Sequence, residues 1–105
     1  NMAITYTWRV EQLKCAPKVG NKVNVVKSIP YDYIGIDEDG IEGISSGNVE
    51  IPEPGENWIT FSQLKKSDIE GWLEANLDVD VLKNKVQAEI NKIKTPVIVD
   101  IAKPW

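Results

Sequence analysis

The run Asp37-Glu38-Asp39-Gly40 sets three carboxylates side by side and is the most chemical-looking stretch of the sequence. Carboxylates so placed could ligate a hard cation or share acid–base work. A calcium loop of the EF-hand kind needs oxygen ligands at positions 1, 3, 5 and 12, with glycine at 6. With Gly40 at position 6, Asp37 and Asp39 fill 3 and 5, but Gly35 falls at 1 and Ser46 at 12, so the ligand set fails. Asp39-Gly40 reads instead as the centre of a hairpin turn, since both residues tolerate positive φ and their flanks are rich in β-formers. Glu70 and Glu74 lie one helical turn apart on a polar face and read as solvated charges. A carboxylate enzyme would need two or more of Asp37, Asp39, Glu70 and Asp100 in one deep pocket.

Nucleophilic and metal chemistry have little to draw on. Histidine is absent and Cys15 is the single cysteine, so neither a Cys–His nor a Ser–His–Asp arrangement can be built, and one thiol makes no structural zinc site. The lone thiol also excludes a disulfide framework within one chain and fits a reducing compartment or a particle assembled in one. Gly35, Gly40, Gly43 and Gly47 lack the spacing and strand–helix context of a phosphate loop. No catalytic, metal-binding or cofactor-binding residue is expected, and no cofactor.

The aromatic residues are the remaining candidates: Tyr6, Trp8, Tyr31, Tyr33, Trp58, Phe61, Trp72 and Trp105. Exposed on a sheet, such rings stack sugars or bases. Trp8 and Trp72 fall on the apolar faces of a strand and a helix and are expected in the core. Tyr31 and Tyr33 are expected partly in the core, and Trp58 and Trp105 are the less constrained. Trp105 follows Pro104 and is expected to dock on its own domain or on a symmetry mate.

The elements that must position these residues follow from periodicity. Residues 3–15 alternate, with Ile4, Tyr6, Trp8 and Val10 on one face and Thr5, Thr7, Arg9 and Glu11 on the other, as in a strand with one wet side. Pro17, Gly20 and Asn21 mark a turn. Residues 23–36 form a second strand, in which Pro30 predicts an edge position or a bulge. Residues 41–51 form a third, with Gly43, Ser45 and Gly47 on one face, small enough for a bulky element to approach closely. Residues 52–57 are a loop by composition. Ser67 and Glu70 have the spacing of a capping box, opening a helix with Ile69, Trp72, Leu73 and Leu77 on one side. Gly71 inside it implies close packing. This Trp72 helix is expected over the small-residue face. Asp78 or Asp80 caps a second helix, with a stripe of Val79, Leu82, Val86, Ile90 and Ile93, and Thr95-Pro96 stops it.

The 105 residues, 42% apolar and 27% charged, are ordinary for one globular domain. Asn1 ahead of Met2 reads as a tag remnant. Apolar runs are too short for a membrane span, and no secretion signal is seen. A net charge of −4 argues against nucleic acid as a partner, and the lysines at 83, 85, 92 and 94 read as a solvated helix face. The expected fold is α+β: a three-stranded antiparallel β-meander, then two α-helices packed on one face, with an extended tail over residues 96–105 that adds a strand or covers a neighbouring chain.

Three features together resemble a known family: the opening strand "TYTWRVEQLKCAP", the "DGIEGISSGNVEI" hairpin with its small residues, and "WITFSQLKKSDIEGWLEANL" with Gly-Trp in a capped helix, before a terminal Pro-Trp. The family comprises small proteins of tailed, mainly marine and cyanobacterial, bacteriophages, grouped as a domain of unknown function. The resemblance covers most of the chain. It implies a viral or metagenomic origin, with the host cytoplasm or the virion as location, and carries over no catalytic residue. The expected role is a non-enzymatic accessory or virion-associated protein working through protein contacts or self-association. The expected interaction surface comprises Tyr31, Tyr33, Trp58, Val97, Val99, Ile101 and Trp105. The alternative is a small module binding carbohydrate or single-stranded nucleic acid through its aromatics.

Overall fold

The computed structural model describes residues 3–51, 59–96 and 98–105. It is an α+β fold of four antiparallel strands and two helices: β1 (Thr5–Arg9), β2 (Lys14–Val19), β3 (Lys22–Ile36), β4 (Glu42–Glu50), a 3₁₀ turn at Phe61–Gln63, α1 (Lys66–Asn76) and α2 (Val79–Lys94). The three-stranded expectation is corrected by β2. Residues 14–19 carry turn-forming Pro17, yet they pair along β3 from Val19↔Lys22 to Lys14↔Ser28. The reversal itself occupies only Gly20 and Asn21, with Gly20 at φ 61°, the pattern of a two-residue Gly-X hairpin loop. Opposite Pro17, where a proline offers no N–H, the β2–β3 register skips a pair and Asn24 takes φ 51°.

β3 is the central strand and organises the sheet. Ser28 pairs with Lys14 on β2 and with Glu50 on β4, while Ile36 pairs with Thr5 on β1 and with Glu42 on β4. β1 and β2 therefore share one edge of β3 and β4 lies along the other. β1 and most of β2 keep the same register against β3, so together they form one long arm interrupted at residues 10–13. Pro30 lies opposite that interruption. No strand on this edge asks for its missing N–H, so proline is tolerated in a central strand rather than an edge strand. The irregularity in the ladder sits between Lys14 and Cys15, opposite residues 26–28.

Both helices contribute to one core with the same face of the sheet. Ile69 and Leu73 of α1 and Leu82, Val86 and Ile90 of α2 join Trp8, Val26, Ile29, Tyr31, Tyr33 and Val49. The close approach to the small-residue strand is made by α2, not by the Trp72 helix. Gly35 and Gly43 are cross-strand partners. A Cβ at Gly35 would stand 2.5 Å from Val86 Cγ1, and one at Gly43 would stand 2.6 Å from the Val86 carbonyl oxygen. Gly47, four residues on, receives the ring of its cross-strand partner Tyr31 instead.

Helix ends depart from the expected pattern. α1 begins one residue before Ser67, with Lys65 at the N-cap; the Asp68 carboxylate accepts the Lys65 N–H at 2.9 Å. This is half of a capping box, because a lysine ammonium has no acceptor to return. α2 is capped by Asp78, which accepts from the N–H groups of Asp80 and Val81. Its stripe is buried at Leu82, Val86 and Ile90, but Ile93 is 60% exposed, since the sheet no longer lies beneath the last turn.

Gly71 does not mark close packing: a Cβ there meets nothing within 4 Å. Glycine in a helix interior loses roughly 0.5–1 kcal/mol to alanine through backbone entropy. Gly71→Ala is therefore expected to stabilise the protein by about that amount, read as a raised urea midpoint at unchanged slope; a lowered midpoint would contradict the packing described.

Candidate functional site

The acidic run is a structural clamp. Asp37 and Ile41 close a three-residue loop: Asp37 N–H donates to Ile41 O and Gly40 N–H to Asp37 O, both at 3.0 Å. Only Gly40 has positive φ, at 80°, so the turn centres on Glu38 and Asp39 with glycine following in the left-handed region, rather than on Asp39-Gly40. The buried Asp37 carboxylate accepts the Asp39 and Ile41 N–H groups on Oδ1, at 3.0 and 2.9 Å. Its Oδ2 lies 3.0 Å from Lys94 Nζ, and Asp39 Oδ2 lies 3.1 Å from the same ammonium. Lys94 is the last residue of α2, so its charge also suits the helix C-terminus.

Burial by itself would push the Asp37 carboxyl up. The Ile41 N–H, the Lys94 ammonium and the Asp39 N–H outweigh it and hold the group below the usual carboxylate range. A carboxyl depressed on folding contributes stability that is present above its unfolded value, about 3.9, and is lost as pH falls through the folded value. The stability of the protein should therefore drop on acidification below about pH 4, and Asp37→Ala should flatten this acid limb while lowering the melting temperature at pH 7. An unchanged acid limb in Asp37→Ala would contradict the clamp.

On the sheet face away from the helices, a polar row crosses three strands. Arg9 Nε and Nη2 donate to Asp32 Oδ2 at 3.0 and 2.9 Å, and the Ser46 hydroxyl donates to Asp32 Oδ1 at 2.5 Å. These residues are cross-strand partners, Arg9↔Asp32 and Asp32↔Ser46. The Ser46 hydroxyl and the Arg9 guanidinium hold the Asp32 carboxyl low. Each charge is already answered, so the row ties strands together. Cys15 is half-buried, and burial pushes its thiol up, which disfavours the thiolate. Among the described residues, no group of three or more Cys, Asp or Glu is placed to hold a metal ion, and no helix is long and apolar enough to cross a membrane.

The aromatic residues are divided by the fold. Tyr31 and Tyr33 are only 8% and 4% exposed. They lie on the helix-covered face of β3, where Trp8 meets Tyr31 edge-on at 5.5 Å and Tyr33 at 4.5 Å, while Tyr6 stacks on Tyr33 at 5.5 Å. Burial pushes both phenols up. The expectation that they line an interaction surface is thereby corrected: period-two alternation places Tyr31 and Tyr33 with the core residues. Trp58 and Val97 lie outside the described residues. Val99, Ile101 and Trp105 are exposed, at 55%, 84% and 90%, and Ile98 joins them at 87%. Lys103 Nζ approaches the Trp105 ring at 6.0 Å, the outer reach of a cation–π contact, and leaves the ring open.

One feature was not foreseen. Where the β1–β2 arm leaves the sheet, a groove of about 460 Å³ opens against the 3₁₀ turn and the start of α1, its apolar lining of Trp8, Val10, Leu13, Phe61, Leu64 and Ile69 set beside Glu11, Gln12, Lys65, Lys66 and Glu70. A strict strand alternation carried through residues 3–15 hid the interruption that creates it. Among the described residues, the C-terminal segment and this groove both leave apolar side chains open to solvent. Neither a curated protein nor a solved structure matches the chain. A family model matches residues 3–105, the whole span from before β1 through Trp105, and by that match the chain belongs to the family described as Domain of unknown function (DUF7936).

Proposed function

We propose that the protein is a non-enzymatic accessory or virion-associated module that acts through protein–protein contacts made by its C-terminal segment. The observation that carries this reading is the exposure of Ile98, Val99, Ile101 and Trp105 together on eight residues. Apolar side chains gathered on one exposed segment favour association, because covering them removes roughly 25 cal/mol per Å² from contact with water. The phage setting, with host cytoplasm or virion as location, is supported by the sequence resemblance alone. A stacking platform for glycan or single-stranded nucleic acid needs adjacent exposed rings, and two of its four members are in the core.

Light scattering tests the reading. The full chain is expected to associate as its concentration rises, and a chain truncated after Thr95 to remain monomeric with its melting temperature unchanged. A full chain that is monomeric throughout, and indistinguishable from the truncated one, would contradict it.

A further inference from the structure

α2 outruns the core that holds it. Ile90 is fully buried, yet every described residue from Asn91 to Trp105 lies open to solvent. A last helical turn without apolar support frays readily. Here charge ties it down. Lys94 Nζ reaches Asp37 Oδ2 at 3.0 Å and Asp39 Oδ2 at 3.1 Å. The lysine side chain is 27% exposed, against 71% for Lys92 on the same turn, whose partner Glu89 lies within the helix. The receiving end is fixed, because the Asp37 carboxylate is fully buried and its Oδ1 accepts the Asp39 and Ile41 N–H groups. The clamp therefore joins the last residue of α2 to the β3–β4 turn. The tail starts directly beyond it: Thr95 N–H donates to Asn91 O at 2.7 Å, and Pro96 bars a further turn. Resting on the reading that the tail makes the protein contacts, we infer that the Asp37–Lys94–Asp39 clamp is a positioning device, which fixes the root of the tail so that the tail binds from a set point on the domain.

A fixed root matters because disorder is removed before binding rather than during it. Ordering one backbone residue on association costs roughly tenfold in affinity. Were the last turn frayed, Asn91 to Lys94 would lengthen the loose segment and add to that cost; a root already held in place avoids it. The ion pair is suited to this work. Exposed pairs are screened and contribute little, but one partner here is buried and hydrogen-bonded, so the ammonium has a single well-defined seat. Asp39, with its side chain 63% exposed, supplies the outer arm of the clamp. Lysine at the C-terminal end of a helix also faces the negative end of the helix dipole, which holds the turn and the clamp in the same arrangement.

Amide hydrogen exchange and sedimentation on the same variants of the full chain test the inference. Lys94→Met removes the ammonium and keeps the apolar stem. It should cost the amides of Asn91 to Thr95 at least about tenfold in protection, leave the Val86 amide protected, and weaken self-association about tenfold. Lys94→Arg, which keeps the charge, should restore both readouts. Should Lys94→Met fail to fold, Asp39→Asn removes the outer arm alone and should move both readouts the same way by less. Protection unchanged at Asn91 to Thr95 would overturn the inference, because the turn would then hold without the clamp. Lost protection beside undiminished association would overturn it as well, since the tail would bind equally from a loose root. Protection lost equally at Val86 would make the clamp a support of the whole fold and not of the tail root, a third contrary result. These three outcomes leave the tail as the contact segment. A full chain that stays monomeric at every concentration removes that reading and the inference with it.

Discussion

Replacing Gly43 with alanine should lower the melting temperature by roughly 10 °C, corresponding to about 2 kcal/mol for forced overpacking. The added Cβ would stand 2.6 Å from the carbonyl oxygen of Val86 and 2.9 Å from Ile90 Cγ1. The first contact is with helix backbone, so relief requires α2 to lift from β4. Gly35 differs in kind. Its added Cβ would meet side chains, Val86 Cγ1 at 2.5 Å and Ile4 Cγ2 at 2.9 Å. Shortening Val86 to alanine should therefore soften the effect of Gly35→Ala and leave that of Gly43→Ala almost unchanged. A double-mutant cycle reads the difference directly: strong coupling of Val86→Ala to Gly35→Ala, and near-additivity with respect to the Gly43 carbonyl contact. Equal coupling at both glycines would contradict the α2 placement.

Truncating Leu73 to alanine should cost about 3 kcal/mol, within the range for fully buried leucines. Leu73 is fully buried in the cluster that joins α1 to the sheet, and its removal leaves a cavity among side chains held by two helices. Ile93→Ala, on the same apolar stripe as Ile90, should change stability by less than about 0.5 kcal/mol. Urea unfolding distinguishes the two, with a large fall in midpoint for Leu73→Ala and little change for Ile93→Ala. Comparable losses would mean that α2 packs along its whole length, against the exposure of its last turn.

These contrasts show where periodicity informs and where it does not. Leu82, Val86 and Ile90 were legible at helical spacing, and Trp8 at strand spacing, because burial on one face leaves that imprint. Ile93 carried the same spacing without the burial, since a periodic stripe does not say where the partner surface ends. The small residues Gly43, Ser45 and Gly47 did announce a close approach, but which helix made it depended on tertiary placement. Lys14–Val19 was hidden because Pro17 and Gly20 suggested a turn, whereas only Gly20 and Asn21 form it and the ladder keeps one register on both sides of Pro17. The Asp37–Lys94 contact joins residues far apart in the chain and left no local signal. In the acidic run, the ligand count already disfavoured calcium; the fold supplied the reason for its position, a turn clamped to the end of α2. Of the candidate surface, the tail was legible as an apolar segment following Pro96. The Trp8 groove was not, because it arises from a break in pairing that β-propensity does not report.

The tail as a contact segment can be read most directly at Trp105 itself. Hydroxyl-radical footprinting with mass spectrometry measures the solvent access of that indole at low and high protein concentration. The account predicts rapid labelling in dilute protein, where the ring is 90% exposed, and clear protection as the concentration rises. Labelling equally rapid at every concentration would contradict it.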